Sequence, residues 1–340
     1  MKIWMFCLLF LIESGMLSWC ESRKSVFRVM CYNVENYFDC MDDSLTRDEE
    51  YLPGGIRGWN YNRYLCKQHN IARVIATVGA WEPPALIGLC EVESRRGLFD
   101  LVRGPLNNLH YRFVHHDSPD ARGVDVALLY LPEMFKVLRD EPIRIRFTDA
   151  PNSTTRDILY VCGRAQSGDT LHVFVCHFPS RLGGELESAN RRCDAAKILR
   201  RHVNLIQEKD AKANILIMGD FNDYPDNTSL HDVLRAQEPR EPFRKEYLYN
   251  LMFPLHKEGK GTHKHEAEWG ALDQIIVSGY MLDQQRGLHT TPADVHIFNV
   301  DFLLEDDLKY LGKKPFRTYS GMKYVGGFSD HLPVYIDFWY

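Results

Sequence analysis

After its first dozen residues, this chain of 340 has no apolar stretch long enough to cross a membrane, which takes about 20 residues of helix. It has no internal repeat, low-complexity tract or linker-like segment, so nothing marks a boundary between modules. It has no Cys-x-x-Cys pair, which argues against a structural zinc site. Of nine cysteines, seven remain once Cys7 and Cys20 near the N-terminus are set aside, an odd number. Cys31, Cys90, Cys162 and Cys176 lie in apolar runs and read as small buried hydrophobes, not as a disulfide framework. The chain also lacks a strong net charge. Its formal charge is −5, and Lys2, Glu13 and Glu21 account for −1 of that. A protein that coats nucleic acid is disfavoured, because phosphate backbones reward a strongly basic surface. A local basic patch is still allowed.

What is present is ordinary for a soluble globular protein: 45% hydrophobic and 26% charged residues. The length permits a large core. At the N-terminus, Lys2 precedes the apolar run from Ile3 to Ile12, which fits a secretory signal peptide over residues 1–22. A buried N-terminal strand or helix is the competing reading. Cys20 sits where a lipid-modified cysteine would sit, although Trp19 is larger than the small residue usual before one. The mature domain is then 23–340. Its expected location is exported: periplasmic, extracellular or lipid-anchored to an outer membrane.

Hydrophobic periodicity organises that domain. Period-two or continuous apolar runs predict strands at 26–32, 85–90, 111–115, 124–130, 158–162, 171–177, 214–218, 272–277 and 332–338. A 3.6-residue period predicts helices over 61–78 and 186–207. The second carries Ala189, Cys193, Ala196, Leu199 and Val203 on one stripe. Two long polar loops, 39–58 and about 235–270, are candidate lids or rims. The count of elements predicts an α/β domain of two packed sheets flanked by helices.

The ends of the strands carry the chemistry. Asn33 follows the first strand, Glu91 the second, and His177 ends the strand at 171–177. Asp220 and Asn222 follow the strand at 214–218. Asp273 opens the next, and Asp330 and His331 precede the last. Ligands of α/β sheets sit at strand ends, where loops aim several side chains at one point. Carboxylate and amide oxygens are hard donors that favour Mg²⁺, Mn²⁺ or Ca²⁺ over zinc. A His paired with an Asp can activate water. Such a set suits hydrolysis of a phosphate ester.

The motifs Cys31-Tyr32-Asn33-Val34-Glu35-Asn36, Leu89-Cys90-Glu91-Val92, His177-Phe178-Pro179-Ser180-Arg181 with Gly183-Gly184, Gly219-Asp220-Phe221-Asn222-Asp223, Ala271-Leu272-Asp273-Gln274-Ile275 and Ser329-Asp330-His331-Leu332-Pro333-Val334 occur in a set order. Together the chain resembles the endonuclease/exonuclease/phosphatase superfamily, as an exported member of bacterial type. The resemblance implies a four-layer α/β sandwich of two packed mixed β-sheets flanked by helices. It implies one or two Mg²⁺ or Mn²⁺ ions, with Glu91 as principal ligand and Asp330, Asn33 and Glu35 contributing. Glu35 reads equally as structural. Asp220 and Asn222 would position water, orient phosphate or hold a second metal. His331, paired with Asp273, would be general base or transition-state stabiliser. His177 would contact the phosphate and protonate the leaving oxygen. Asn33, Arg181 and Arg156 are expected to bind substrate, Arg181 with the alternative of tying down the Gly183-Gly184 loop.

His256, His263 and His265 look like a metal cluster but read as a solvated loop. Lys309, Lys313, Lys314, Arg317 and Lys323 form a basic loop leading into the Ser-Asp-His turn, beside the expected site of an anionic substrate. The leading functional expectation is a phosphodiesterase acting on nucleic acid or a lipid head group. A phosphomonoesterase acting on a small compound is the alternative, and a catalytically dead binding module is a third. A monomer is expected.

Overall fold

The structure is a computed structural model, and it describes residues 26–181, 184–283 and 287–340. The leader, Cys20 and Gly183 lie outside the described residues. In chain order the first strands are β1 (Val26–Tyr37), β2 (Leu86–Val92), β3 (Arg112–His115), β4 (Asp125–Tyr130), β5 (Phe135–Ile143), β6 (Ile158–Ala165) and β7 (Thr170–His177). Then come β8 (Asn214–Asp220), β9 (Ala236–Gln237), β10 (Leu248–Asn250), β11 (His263–His265), β12 (Glu268–Gly270) and β13 (Asp273–Ser278). The last are β14 (Val295–Ile297), β15 (Leu304–Asp306), β16 (Lys313–Pro315), β17 (Tyr319–Ser320), β18 (Lys323–Tyr324) and β19 (Val334–Trp339). The α-helices are α1 (Tyr61–Gly79), α2 (Arg95–Arg103), α3 (Glu185–Lys209) and the short α4 (Phe253–Lys257).

Two mixed sheets result. One has the order β14-β19-β1-β2-β4-β3, the other β5-β6-β7-β8-β13-β10-β9. Each is built around a parallel pair, β1 with β2 and β7 with β8. A parallel pair needs a long crossover, and α1 and α3 supply the two. Helix α1 begins where the Asn60 side chain caps it, accepting from Arg63 N at 3.1 Å.

Alternation along the strands makes the layers. On β1, Val29 and Cys31 face the other sheet, packing with Val175 and Met218. Met30, Tyr32 and Val34 face outward into a cluster with Ile71, Val74, Ile75 and Val78 of α1. On the second sheet, Phe174, Ile215 and Ile217 pack outward against Ala195, Ala196, Leu199 and Val203 of α3. Helix, sheet, sheet and helix thus form four layers, as expected. Each fully buried Val, Ile or Leu contributes about 1.5–3 kcal/mol, so these three clusters hold the strand ends in place.

Three departures have physical causes. Strand β5 lies at a sheet edge, carries Pro142 and exposes Lys136, Leu138, Arg139 and Asp140, so it shows no strong apolar signal. The loop at 39–58 packs instead of closing over a cleft. Tyr51 stacks on Phe38 at 4.2 Å, and neighbouring Trp59 donates to the carbonyls of Phe38 and Asp39. The region 235–270 contains β9 to β12 and α4, and its β11–β12 hairpin reaches the site described next.

Candidate active site

The β1–β2 and β7–β8 pairs end at the same place. In the first sheet Asn33 is level with Cys90, after which the register breaks. In the second, His177 is level with Asp220, and Asp220 with Asp273 of β13. Four side-chain-bearing residues at these ends are left-handed: Glu35 (φ 51°), Asn36 (φ 52°), Glu91 (φ 64°) and Asn222 (φ 50°). That conformation costs an L-residue about 1 kcal/mol or more, and such outliers gather at functional sites. Hydrogen bonds hold them. Glu35 N donates to Asn33 Oδ1 (3.0 Å), Asn36 N to Glu91 Oε2 (2.8 Å) and Asn222 N to Asp220 Oδ1 (2.9 Å). Gly219 has φ 145°, and a Cβ there would lie 1.8 Å from the Cys176 carbonyl oxygen. Only glycine lets β8 lie against β7 at that level.

Asp220 Oδ2 is the centre of the cluster. Asn33 Nδ2 donates to it at 3.0 Å, and the Nε2 atoms of His177 and His331 stand 3.6 and 3.7 Å away. His331 Nδ1 is 2.7 Å from Asp273 Oδ2, which also accepts from Thr262 Oγ1 at 2.5 Å. Ser329 Oγ donates to Asn33 O at 2.7 Å and accepts from His331 N at 3.1 Å. The Ser-Asp-His turn is thereby fastened to β1. The cleft over these groups measures ≈ 450 Å³ and is lined by Glu91, His177, Asp220, Asn222, Asp330 and His331, with Arg122, Ser180, Arg181, Glu185, Tyr224, His263, His265, Gly270 and Leu272.

Burial and charge divide the protons. Burial pushes the Asp220 carboxyl up to about 7, with Asp273 adding to the rise and His331 opposing it. Burial alone would lower His331, but Asp273 and Asp220 outweigh it and hold the imidazole well above its usual range. His177 falls well below the usual range through burial, then Arg156, Arg122 and His331. Charge and burial therefore push these two neighbouring histidines in opposite directions.

The structure brings together Asn33, Glu91, His177, Asp220, Asn222, Asp273, Asp330 and His331. It sets others apart. Glu35 does not line the cleft. Both its oxygens are taken, one by Arg317 (3.0 Å) and one by Thr318 N (2.7 Å). Arg317 also donates to Asp330 Oδ2 at 3.0 Å, so Glu35 supports Asp330 from behind. Asn33 turns its amide nitrogen to the carboxylates because its oxygen accepts from Glu35 N, which makes it a donor at the site instead of a cation ligand. Arg156 is 5% exposed and absent from the cleft wall. It donates to Asp120 Oδ2 (3.1 Å) and to Phe178 O (2.9 Å). Arg181 lines the cleft but is spent on Asn222 O, Asp223, Asn227 and Glu185 and lies over Tyr224. Lys313 and Lys314 pair with Asp306 and Glu305, outside the cleft.

Three residues went unread in the sequence. His263 is not solvated: its ring lies 4.9 Å from that of His331, and burial, then His331, lowers it to about 4. His256 instead stacks on Tyr224, and His265 sits exposed at the cleft rim. Lys67 is buried and donates to Thr318 Oγ1 (2.6 Å) and Phe328 O (2.7 Å). Its place among Tyr64, Ile71 and Val74 on the apolar stripe of α1 was the available signal. Arg122 stands on the cleft wall beside Gly123, with no local pattern to announce it.

A family model for the endonuclease/exonuclease/phosphatase family matches residues 28–339. The chain belongs to this family. Its fold is the hydrolase fold of that family, with phosphoesterases among its structural neighbours. A mannosyl-6-phosphatase of Bacteroides thetaiotaomicron superposes with TM-score 0.57 at 14% identity, covering 92% of this chain and 99% of that one. The catalytic domain of human Nocturnin gives 0.54 at 16%, covering 94% and 98%. TDP2 of Danio rerio, solved with a single-stranded DNA product, gives 0.53 at 16%, covering 92% and 99%. A comparison with curated proteins finds no significant match.

Enzymes of this family depend on a divalent metal, and the residues present fit one. Of the strand-end carboxylates that line the cleft, Glu91 and Asp330 keep side chains open to it, 15% and 23% exposed, against 2% for Asp220. Both offer oxygen, the donor that Mg²⁺ and Mn²⁺ prefer.

Proposed function

We propose that this protein hydrolyses a phosphate ester of a small compound in the cleft between the two sheets, using water activated by Asp220. The observation that carries the reading is the geometry at Asp220 Oδ2, where Asn33 Nδ2 and the Nε2 atoms of His177 and His331 stand 3.0, 3.6 and 3.7 Å from one buried carboxylate oxygen. Asp220 takes the proton from the attacking water, which Asn222 and Asn33 help to place. His331, kept charged by Asp273, donates from Nε2 to a phosphoryl oxygen as negative charge develops there. Neutral His177 donates from Nε2 toward the phosphate or its leaving oxygen. Glu91 and Asp330 would hold the divalent ion, which when bound neutralises phosphate charge and polarises the P–O bond.

This assignment makes Asp220 the base and His331 the stabiliser, two roles that the motifs alone left open. A small substrate is favoured over a polynucleotide by the cleft wall. Among its described lining residues, Glu91, Glu185, Asp220 and Asp330 stand against Arg122, Arg181 and His331, so the wall carries no excess of cations. A groove for a polyanion should have the opposite balance. The mannosyl-6-phosphatase neighbour agrees with this reading, while the TDP2 neighbour keeps diesters in the test. The apolar N-terminal run supports export of the domain, with Mg²⁺ as the ion of first choice.

The test is an initial-rate comparison on para-nitrophenyl phosphate, bis-para-nitrophenyl phosphate and plasmid DNA. Each is assayed with Mg²⁺, Mn²⁺ or a chelator, beside His331→Ala. Metal-dependent turnover of the monoester that collapses in the variant is the expected result. Faster turnover of DNA would overturn the small-substrate reading, and chelator-resistant turnover the metal.

A further inference from the structure

The cleft presents an electrostatic problem. Its floor is rich in carboxylate, yet the ligand argued for above is an anion. Beyond the donor already assigned to His331, a cation on the wall would meet the phosphate oxygens that a divalent ion leaves uncovered. Two arginines line the cleft, and they differ. Arg181 is 22% exposed and tied to four partners around Tyr224. Arg122 is 49% exposed, and its guanidinium makes one ion pair, to Asp120 at 3.7 Å, beyond hydrogen-bond range.

Arg122 is also built into place. Asp120 is 8% exposed and opens a tight turn over Ala121 and Arg122. Its Oδ1 accepts from Arg122 N at 3.0 Å, and its carbonyl accepts from Gly123 N at 3.0 Å. Gly123 has φ 72°, and a Cβ there would approach Thr46 Cγ2 to 2.9 Å. Arg47 N donates to Ala121 O at 2.8 Å from the other side. Behind the turn, buried Arg156 holds Asp120 Oδ2 with one nitrogen and Phe178 O with another. Asn222 Nδ2 donates to that same carbonyl at 3.1 Å. The turn that carries Arg122 is thus fastened to the residues flanking His177 and Asp220.

We infer that Arg122 grips the non-bridging oxygens of the substrate phosphate, and that the buried Arg156–Asp120 pair is the clamp that positions it. A guanidinium fork matches two phosphate oxygens and stays charged at any working pH. Arg156, which the sequence suggested as a substrate contact, serves the substrate through Asp120 and Arg122. The inference rests on the phosphoester reading but has its own readout. Inorganic phosphate is the probe.

Binding of phosphate to the full protein with Mg²⁺ is measured by thermal shift, and its inhibition of para-nitrophenyl phosphate turnover is measured in parallel. Arg122→Ala should weaken phosphate binding by roughly 10- to 100-fold, the worth of a charge-assisted hydrogen bond. It should lower kcat/KM by roughly 10²-fold at an unchanged melting temperature without phosphate. Arg122→Lys should recover part of both losses, because it keeps the charge and loses the fork. Asp120→Asn should weaken phosphate binding in wild type, yet add less than about twofold in the Arg122→Ala background. Phosphate binding by Arg122→Ala within about twofold of wild type would overturn the grip. A full additive loss in the double variant would overturn the clamp. A wild type that binds phosphate through Arg122 but turns over no ester would sink the proposed function and leave this inference standing.

Discussion

Replacing Asp273 by Asn keeps the shape of the His331 partner and removes its charge. The carboxylate oxygen lies 2.7 Å from His331 Nδ1, and Asp273 is fully buried. With charge centres about 4 Å apart and an effective dielectric near 20, the pair is worth about 4 kcal/mol. Losing that attraction, the His331 pKa should fall back toward the ordinary imidazole range. Asp220, 3.7 Å from Nε2, keeps the fall from going further. The asparagine oxygen can still accept from both Nδ1 and Thr262 Oγ1, so the ring should stay in place. Its charge at neutral pH should not, and the donor to the phosphoryl oxygen weakens. We expect kcat/KM to drop by roughly 10³-fold. Stability should respond with a definite sign. A histidine whose pKa is raised on folding stabilises fully below its unfolded value, and loses that contribution as pH rises through the folded one. The melting gap between wild type and Asp273→Asn should therefore be widest in mild acid and close in alkali. The assays are an NMR titration of the His331 ring and a pH series of kcat/KM. An unshifted His331 titration, or a rate loss under about tenfold, would refute the charge-holding role of Asp273.

Four further outcomes follow from single contacts. Glu91→Gln should abolish the thermal stabilisation conferred by Mg²⁺, which calorimetry of the metal alone can check. Gly219→Ala should fail to accumulate as folded protein in a solubility assay, because its Cβ meets the Cys176 carbonyl and the expected cost exceeds about 4 kcal/mol. Lys67→Met should cost about 3 kcal/mol in urea unfolding, because it removes a buried cation beside Glu35 and strands its partners. Glu93 is held at about 8 by burial, with Asp39, Asp48 and Asp43 adding to the rise. An acid raised on folding binds more protons folded than unfolded, so wild type should lose stability between about pH 4.5 and 8. Glu93→Gln should flatten that slope by roughly 2 kcal/mol, after discounting for partial exposure.

How much of this was readable before the structure depended on distance along the chain. The residues at the ends of β1, β2, β7, β8, β13 and β19 stand next to the apolar runs that name those strands. Periodicity placed the strands, and the strands placed Asn33, Glu91, His177, Asp220, Asp273 and His331. The layers were readable for the same reason, since α1 and α3 carry apolar stripes as long as the sheets they cover. Residues delivered by docking were not readable. His263 reaches His331 because the β11–β12 hairpin folds over it, with Thr262 bonded to Asp273. Nothing near His263 in sequence encodes that contact. Arg122 and Arg156 lie 34 residues apart and are joined only through Asp120.

Even where the residue was readable, its role depended on orientation. An asparagine offers an oxygen to a metal or a nitrogen to an anion with equal ease. Here the backbone decides. Glu35 turns left-handed at the irregularity near the end of β1, which points its N–H at Asn33 Oδ1 and turns Nδ2 toward Asp220. The same turn aims the Glu35 carboxylate away from the cleft, at Arg317 and Thr318. One backbone feature therefore turns two of the four expected ligands to other partners, and the proposed holders of the ion are Glu91 and Asp330. Those two come from different strands, β2 and the turn before β19. The site closes only when β1, lying between them, has seated the Ser329 hydroxyl on the Asn33 carbonyl. Ser329→Ala should accordingly weaken Mg²⁺ binding with no loss of any ligand. Calorimetry giving wild-type affinity would show that the turn is held by Arg317 and Lys67 without that hydroxyl.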